Sequence, residues 1–128
     1  MEREQLNVVF DQVGTPTYAA DLAALIVHVL ETGKYRQHQG IYHFSNEGVC
    51  SWYDFAKEIF RQAVELGRDE YSEQNVQVSP VTTKEYGVSK AARPFNSRLD
   101  KKKLIDNGFK PLPSWQDAVG RYLKDIEF

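Results

Sequence analysis

The sequence predicts an α/β domain with about three main helices and short strands, and three observations carry that prediction. Runs rich in Val, Ile, Tyr and Phe stand at Leu6–Phe10, Gly40–Phe44 and Val76–Val78. Around them lie three stretches with apolar residues at helical spacing, spanning Leu22–Leu30, Trp52–Leu66 and Trp115–Ile126. No Gly-x-Gly-x-x-Gly follows any strand-like run, so the phosphate-binding turn of a Rossmann dinucleotide site is missing.

Leu6–Phe10 is short and β-branched or aromatic, and reads as a buried strand. The turn Asp11–Tyr18 follows, punctuated by Gly14 and by Pro16, which pushes Thr15 toward extended geometry. From these residues alone it is an ordinary strand–turn–helix joint. Thr17 is expected to cap the first helix, with Asp21 placing negative charge near its positive end. Leu22, Leu25, Ile26, Val29 and Leu30 form the stripe this helix should bury, and Gly33 offers a left-handed stop. After a loop, Gly40–Phe44 reads as a second strand, and Asn46 and Gly48 turn the chain.

Ser51 looks like an N-cap, with Asp54 three residues on as a variant of the capping box. Trp52, Phe55, Ala56, Ile59, Phe60, Ala63 and Leu66 then make the strongest apolar stripe, closed by Gly67; the pattern is that of a core face. Arg68–Asn75 is polar and reads as a surface connection. Val76–Val78 alternates like a strand and should stop at Pro80. Thr82, Thr83 and Glu85 start a single helical turn that Gly87 ends, and Ser89–Ala92 is loop. Arg93–Asp100 is extended. Asp100 should cap a brief helix through Leu104 and Ile105, ended by Gly108, and Lys101–Lys103 read as solvated surface. Ser114 caps the last helix, whose Trp115, Ala118, Val119, Tyr122, Leu123 and Ile126 should face inward.

At 128 residues the chain reads as a single domain able to bury its own core. A net charge of −2 argues against nucleic acid or an anionic membrane surface as the main partner. No apolar run approaches the roughly 18 residues of a membrane span, and the start lacks a secretory pattern. The expected compartment is the cytoplasm. Cys50 is alone, so no intrachain disulfide forms.

Self-contained chemistry is nearly absent. His28, His38 and His43 have no metal-ligand spacing, so no metal is expected. No serine nucleophile elbow is present, and most carboxylates fall on predicted helix surfaces. Tyr53 and Lys57 have the bare spacing of a Tyr-x-x-x-Lys pair, but a tyrosine and lysine one turn apart on an amphipathic helix is the better account. No catalytic residue is assigned.

Several motifs in order carry a resemblance. Asp11-Gln-x-Gly-x-Pro-Thr-Tyr18 with Asp21-Leu-Ala23, Gly40-Ile-Tyr-His-Phe-Ser45 and Gly48-Val-Cys-Ser-Trp-Tyr-Asp-Phe-Ala56 resemble the C-terminal portion of the dTDP-4-dehydrorhamnose reductases. Val81-Thr-Thr-x-Glu-Tyr86, Arg93-Pro-x-x-Ser97, Leu99-Asp100 and Leu112-Pro-x-Trp115 continue it over almost the whole chain. The match is poor around Ser89–Ala92, which leaves the geometry of the loop into Arg93 open.

The resemblance implies the C-terminal, substrate-binding portion of an extended short-chain dehydrogenase, with residues 1–128 as one domain of a two-lobe reductase. Such enzymes reduce the 4-keto group of dTDP-4-dehydro-L-rhamnose with NADPH or NADH. Their glycine fingerprint and Tyr-x-x-x-Lys pair lie upstream of the segment matched here. The chain alone is therefore expected to hold no cofactor, to be inactive, and to bind a dTDP-sugar weakly. Its partner would be the missing N-terminal nucleotide-binding domain, and apolar surface left uncovered by that lobe favours self-association, as a homodimer in the simplest case.

Arg93 is the first candidate for substrate binding, because a planar guanidinium can hold a pair of diphosphate oxygens. A surface or structural arginine is an equal alternative. Gln12 and Thr17 are polar groups at the turn where the two lobes would meet. Ser97, with Asn96, offers hydrogen bonds, although it can equally satisfy local backbone. Trp52 and Trp115 are able to stack on a base, but their places at helix starts favour packing. Two other readings stay open: a free-standing, non-catalytic interaction module, and a lobe of another sugar-nucleotide reductase or epimerase.

Overall fold

The computed structural model describes residues 4–87 and 89–127. Its elements run β1 (Glu4–Val9), β2 (Val13–Gly14), α1 (Ala19–Thr32), β3 (Cys50–Ser51), α2 (Trp52–Glu65), β4 (Val76–Val81), α3 (Thr83–Tyr86), α4 (Lys102–Asp106) and α5 (Trp115–Asp125). The α/β class and the three long helices agree with the sequence reading.

The strands form two small ladders. β1 pairs parallel with β4, Leu6 opposite Val78, and β2 pairs antiparallel with β3, Val13 opposite Ser51. β4 does not stop before Pro80 as expected. Val81 O accepts from Phe10 N at 3.0 Å, so Val81 faces β1 and the preceding Pro80 faces away, where its missing N–H is not needed. The first strand is not buried either: Leu6 and Phe10 are exposed, because β4 is its one partner strand among the described residues. The expected strand at Gly40–Phe44 is also overturned. It lies outside both sheets. Ile41 is 79 % exposed, and its carbonyl accepts from Lys103 Nζ rather than from a ladder partner.

Helix α2 is set by a complete capping box. Ser51 Oγ accepts from Asp54 N at 3.0 Å, and Ser51 N donates to the Asp54 carboxylate at 3.0 Å. Thr82 and Glu85 repeat the device at α3. Ser114 caps α5 through Asp117 N, while the Asp117 carboxylate turns to Arg121 instead. Asp100 does not stand at the N-cap of α4, which is Lys101; its Oδ1 nevertheless accepts from Lys102 N at 2.9 Å.

The core lies between α2 and α5. Cys50, Trp115, Val119 and Leu123 are buried together, with Phe55 and Ile59 packed against them. Tyr122 and Ile126, expected inward, are half exposed; Tyr122 makes an edge contact with Tyr18 instead. Gly48 permits the approach to this core. Its φ is +95°, and a Cβ there would fall 2.9 Å from Trp115 Cδ1.

Helix α1 does not start as predicted. Its N-cap is Tyr18, not Thr17, and no side chain caps it. Tyr18 N donates to Asn46 Oδ1 at 2.7 Å, so the cap comes from 28 residues away. Asn46 is fully buried, and its Nδ2 donates to Asp21 and to the Pro113 carbonyl. Asp21 also accepts two bonds from Arg121, each 2.6 Å. The stripe of α1 is only partly covered: Leu22, Leu25 and Val29 are half-buried, whereas Leu30 is 60 % exposed and Ile26, like its neighbour Val27, half exposed.

Candidate functional site

Three segments meet beside the β2–β3 ladder. Val13 N donates to Phe95 O at 2.8 Å, and Ser97 N donates back to Val13 O at 2.9 Å, so one parallel bridge at Asn96 holds the stretch 93–97 beside β2. β3 and the first turn of α2 close the other side. The result is a concavity of about 210 Å³, lined by Gln12, Gly14, Pro16, Trp52, Phe55, Arg93, Pro94 and Ser97 among others.

Three of the four candidates from the sequence, Gln12, Arg93 and Ser97, therefore share one wall. Thr17 lies elsewhere, exposed and beside a shallow depression formed with Tyr18 and α5. Arg93 is exposed and is the charged residue of the lining. Ser97 Oγ donates to Val13 O at 3.2 Å, so part of its capacity serves local backbone. A methyl on Gly14 would sit 2.5 Å from Ser97 Oγ, which is why the chain narrows to glycine there.

Gln12 is held from outside the cavity. Thr83 N and Oγ1 both donate to the Asp11 carboxylate, at 3.0 and 2.6 Å, and Gln12 Nε2 donates to Thr83 Oγ1 at 3.1 Å. The carboxylate accepts only, so the Thr83 hydroxyl proton points at Asp11 and the Gln12 amide must supply its N–H. What Gln12 has left for a ligand is its amide oxygen and its second N–H. Thr83, through its side chain first, holds the Asp11 carboxyl below its ordinary value of 3.8.

Cys50 also lines the cavity, but burial first, and Asp54 second, push its thiol up to about 11. It is protonated at neutral pH and is no nucleophile. The Tyr53–Lys57 pair is likewise committed: Lys57 forms an ion pair with Glu73, on the opposite side of α2 from this cavity's lining. The residues lining this concavity do not fit a dinucleotide cofactor: no Gly-x-Gly-x-x-Gly turn is among them, and its volume falls below the roughly 300–1,000 Å³ that ligand sites occupy.

Trp52 is the residue for which sequence reasoning favoured packing over stacking on a base, and the structure leaves it uncovered. Both tryptophans follow a capping serine, so local pattern does not separate them. Trp115 is buried at 5 % exposure, whereas Trp52 is 52 % exposed on the cavity wall.

No helix among the described residues is long and apolar enough to cross a membrane. The chain is 42 % identical to the dTDP-4-dehydrorhamnose reductase of Aggregatibacter actinomycetemcomitans, over 91 % of this chain and 39 % of that protein. It is 37 % identical to the spore coat polysaccharide biosynthesis protein SpsK of Bacillus subtilis strain 168, over 96 % of this chain and 38 % of the relative. Among solved structures, dTDP-4-dehydrorhamnose reductase from Bacillus anthracis, in complex with NADP, superposes with a TM-score of 0.76 at 39 % identity, covering 96 % of this chain and 39 % of that one. The chain thus spans about two fifths of the length of these relatives. Residues 1–128 match the family described as the RmlD substrate binding domain, and with the agreement in fold this chain belongs to that family.

Proposed function

We propose that this chain is the substrate-binding lobe of a two-lobe, NAD(P)H-dependent reductase acting on dTDP-4-dehydro-L-rhamnose. The observation that carries the reading is the meeting of Gln12, beside β2, with Arg93 and Ser97 of the stretch 93–97, two segments about 80 residues apart in the chain, at one concavity. In this reading Arg93 takes the diphosphate through paired N–H···O bonds. Gln12 offers its amide oxygen to a hydroxyl, and Ser97 adds a short-range polar contact. The nicotinamide cofactor and the proton-transferring groups belong to the remainder of the longer protein, as the NADP-bound relative suggests by its greater length. This lobe binds, orients and excludes water.

The shallow cavity supports one consequence: the isolated chain holds dTDP-sugars weakly, since much of the pocket is elsewhere. Tight binding of dTDP-rhamnose by this chain in titration calorimetry would contradict it. In the longer enzyme, Arg93→Ala is expected to raise KM about tenfold or more while lowering kcat less. An unchanged KM removes Arg93 from the site.

A further inference from the structure

We propose that Trp52 is the stacking surface for the pyrimidine base of the nucleotide, an inference that rests on the reading of this lobe as a dTDP-sugar site. The two tryptophans occupy equivalent positions, each the first residue of a helix behind a serine cap, yet only Trp115 is spent on the core. Trp52 leaves half its surface in solvent, on the α2 side of the concavity, whose other side Arg93 and Pro94 line. It is braced rather than covered. Phe55 meets it at a steep 65° with ring centres 6.4 Å apart, and Phe55 in turn meets Trp115 at 68° and 6.1 Å. A row of rings reaching into the core thus fixes the indole without laying a parallel ring upon it.

The choice of base over hexose follows from direction. A sugar nucleotide carries its base on one side of the diphosphate and its hexose on the other. Arg93 is the charged residue of the lining and takes the diphosphate. On the reading above, the hexose has to reach reacting groups held by the other lobe, so the base is the end left to Trp52. Planar bases stack well on indole faces.

With two tryptophans, the chain shows two indole N–H signals in a proton–nitrogen NMR spectrum, and Trp52→Phe identifies which is which. Millimolar dTDP is expected to shift the Trp52 signal and leave that of Trp115 in place, while inorganic pyrophosphate moves the backbone near Arg93 alone. Trp52→Leu should weaken dTDP binding about tenfold without changing that of pyrophosphate, and Trp52→Phe should stay within about threefold of the parent. If dTDP-rhamnose moves the Trp52 signal and dTDP does not, the hexose occupies this face and the assignment is overturned. If dTDP moves the Arg93 region but not Trp52, the assignment falls and the reading of the lobe stands. If no ligand moves any signal, both fall.

Discussion

Helices α1 and α2 are both 14 residues long and both carry an apolar stripe, yet they live in different surroundings. α2 packs on α5, β1, β3 and β4, and its stripe feeds the core around Trp115. α1 is tied through Asp21 to Asn46 and Arg121, packs otherwise chiefly on the 3-10 turn Lys34–Arg36 that follows it, and leaves Ile26, Val27 and Leu30 in solvent. The extended stretch 40–44 stands off both ladders as well, tied instead through Tyr42 to Phe109 and Lys103. The difference teaches that an apolar stripe records a surface needing cover, not where the cover comes from. α2 finds it in this chain; α1 is apolar on nearly every side, the pattern of a helix enclosed in a larger body.

The contrast is open to breaking at its strongest point first. Trp115→Ala in the α2–α5 core is expected to destabilise the chain by about 3–5 kcal/mol in urea unfolding, whereas Leu30→Ala on α1 should cost about 0.5 kcal/mol or less. A Leu30 cost near that of Trp115 would mean α1 is packed after all.

Next comes the tie that holds α1. Asn46→Ala strips partners from Tyr18 N, Asp21 and the Pro113 carbonyl, and should cost about 2–3 kcal/mol with faster amide exchange along α1. Unchanged exchange in α1 would place its anchor elsewhere.

The same tie has a pH signature. Arg121 foremost, and then Asn46, hold the Asp21 carboxyl below its ordinary value of 3.8, against the opposing effect of burial. A depressed carboxylate contributes stability that is fully present above the ordinary value and is lost as pH falls through the lower folded one. Acidification below about pH 4 should therefore loosen α1 ahead of α2 in hydrogen exchange. Arg121→Ala should move that loss to higher pH, and an unmoved profile would dismiss the pair as its cause.

The smallest effect on stability sharpens the comparison from the solvent side. Ile26→Glu with Leu30→Glu should change unfolding by about 0.5 kcal/mol or less yet suppress self-association in sedimentation. Association that survives the double variant does not run through α1.

What could be read from the sequence follows the same divide. The Ser51–Asp54 cap, the helical turn at Thr82–Glu85 and the middle of the α2 stripe, from Phe55 to Ala63, depend on neighbours three and four residues away and stand as read, whereas the ends of that stripe, Trp52 and Leu66, are exposed. The cap of α1 did not, because Asn46 reaches Tyr18 from a distant loop that no local spacing reveals. Pro80 misled for a related reason: whether a strand tolerates proline depends on which side its partner takes. Gly40–Phe44 has strand composition, but a strand is a pairing, and composition does not supply the second edge. The candidate site divides likewise. Arg93 and Gln12 stood out by chemistry, while Trp52 and Trp115 share a local pattern and part company only through exposure.

The pair Asp21–Arg121 joins residues 100 positions apart. A ribosome adding about 5–20 residues per second needs roughly 5–20 seconds to travel from one to the other. Throughout that interval α1 has been made but its lock has not, and Asp21 waits without its cation. Assembly of this region is thus a late event of synthesis, timed by the emergence of a single arginine.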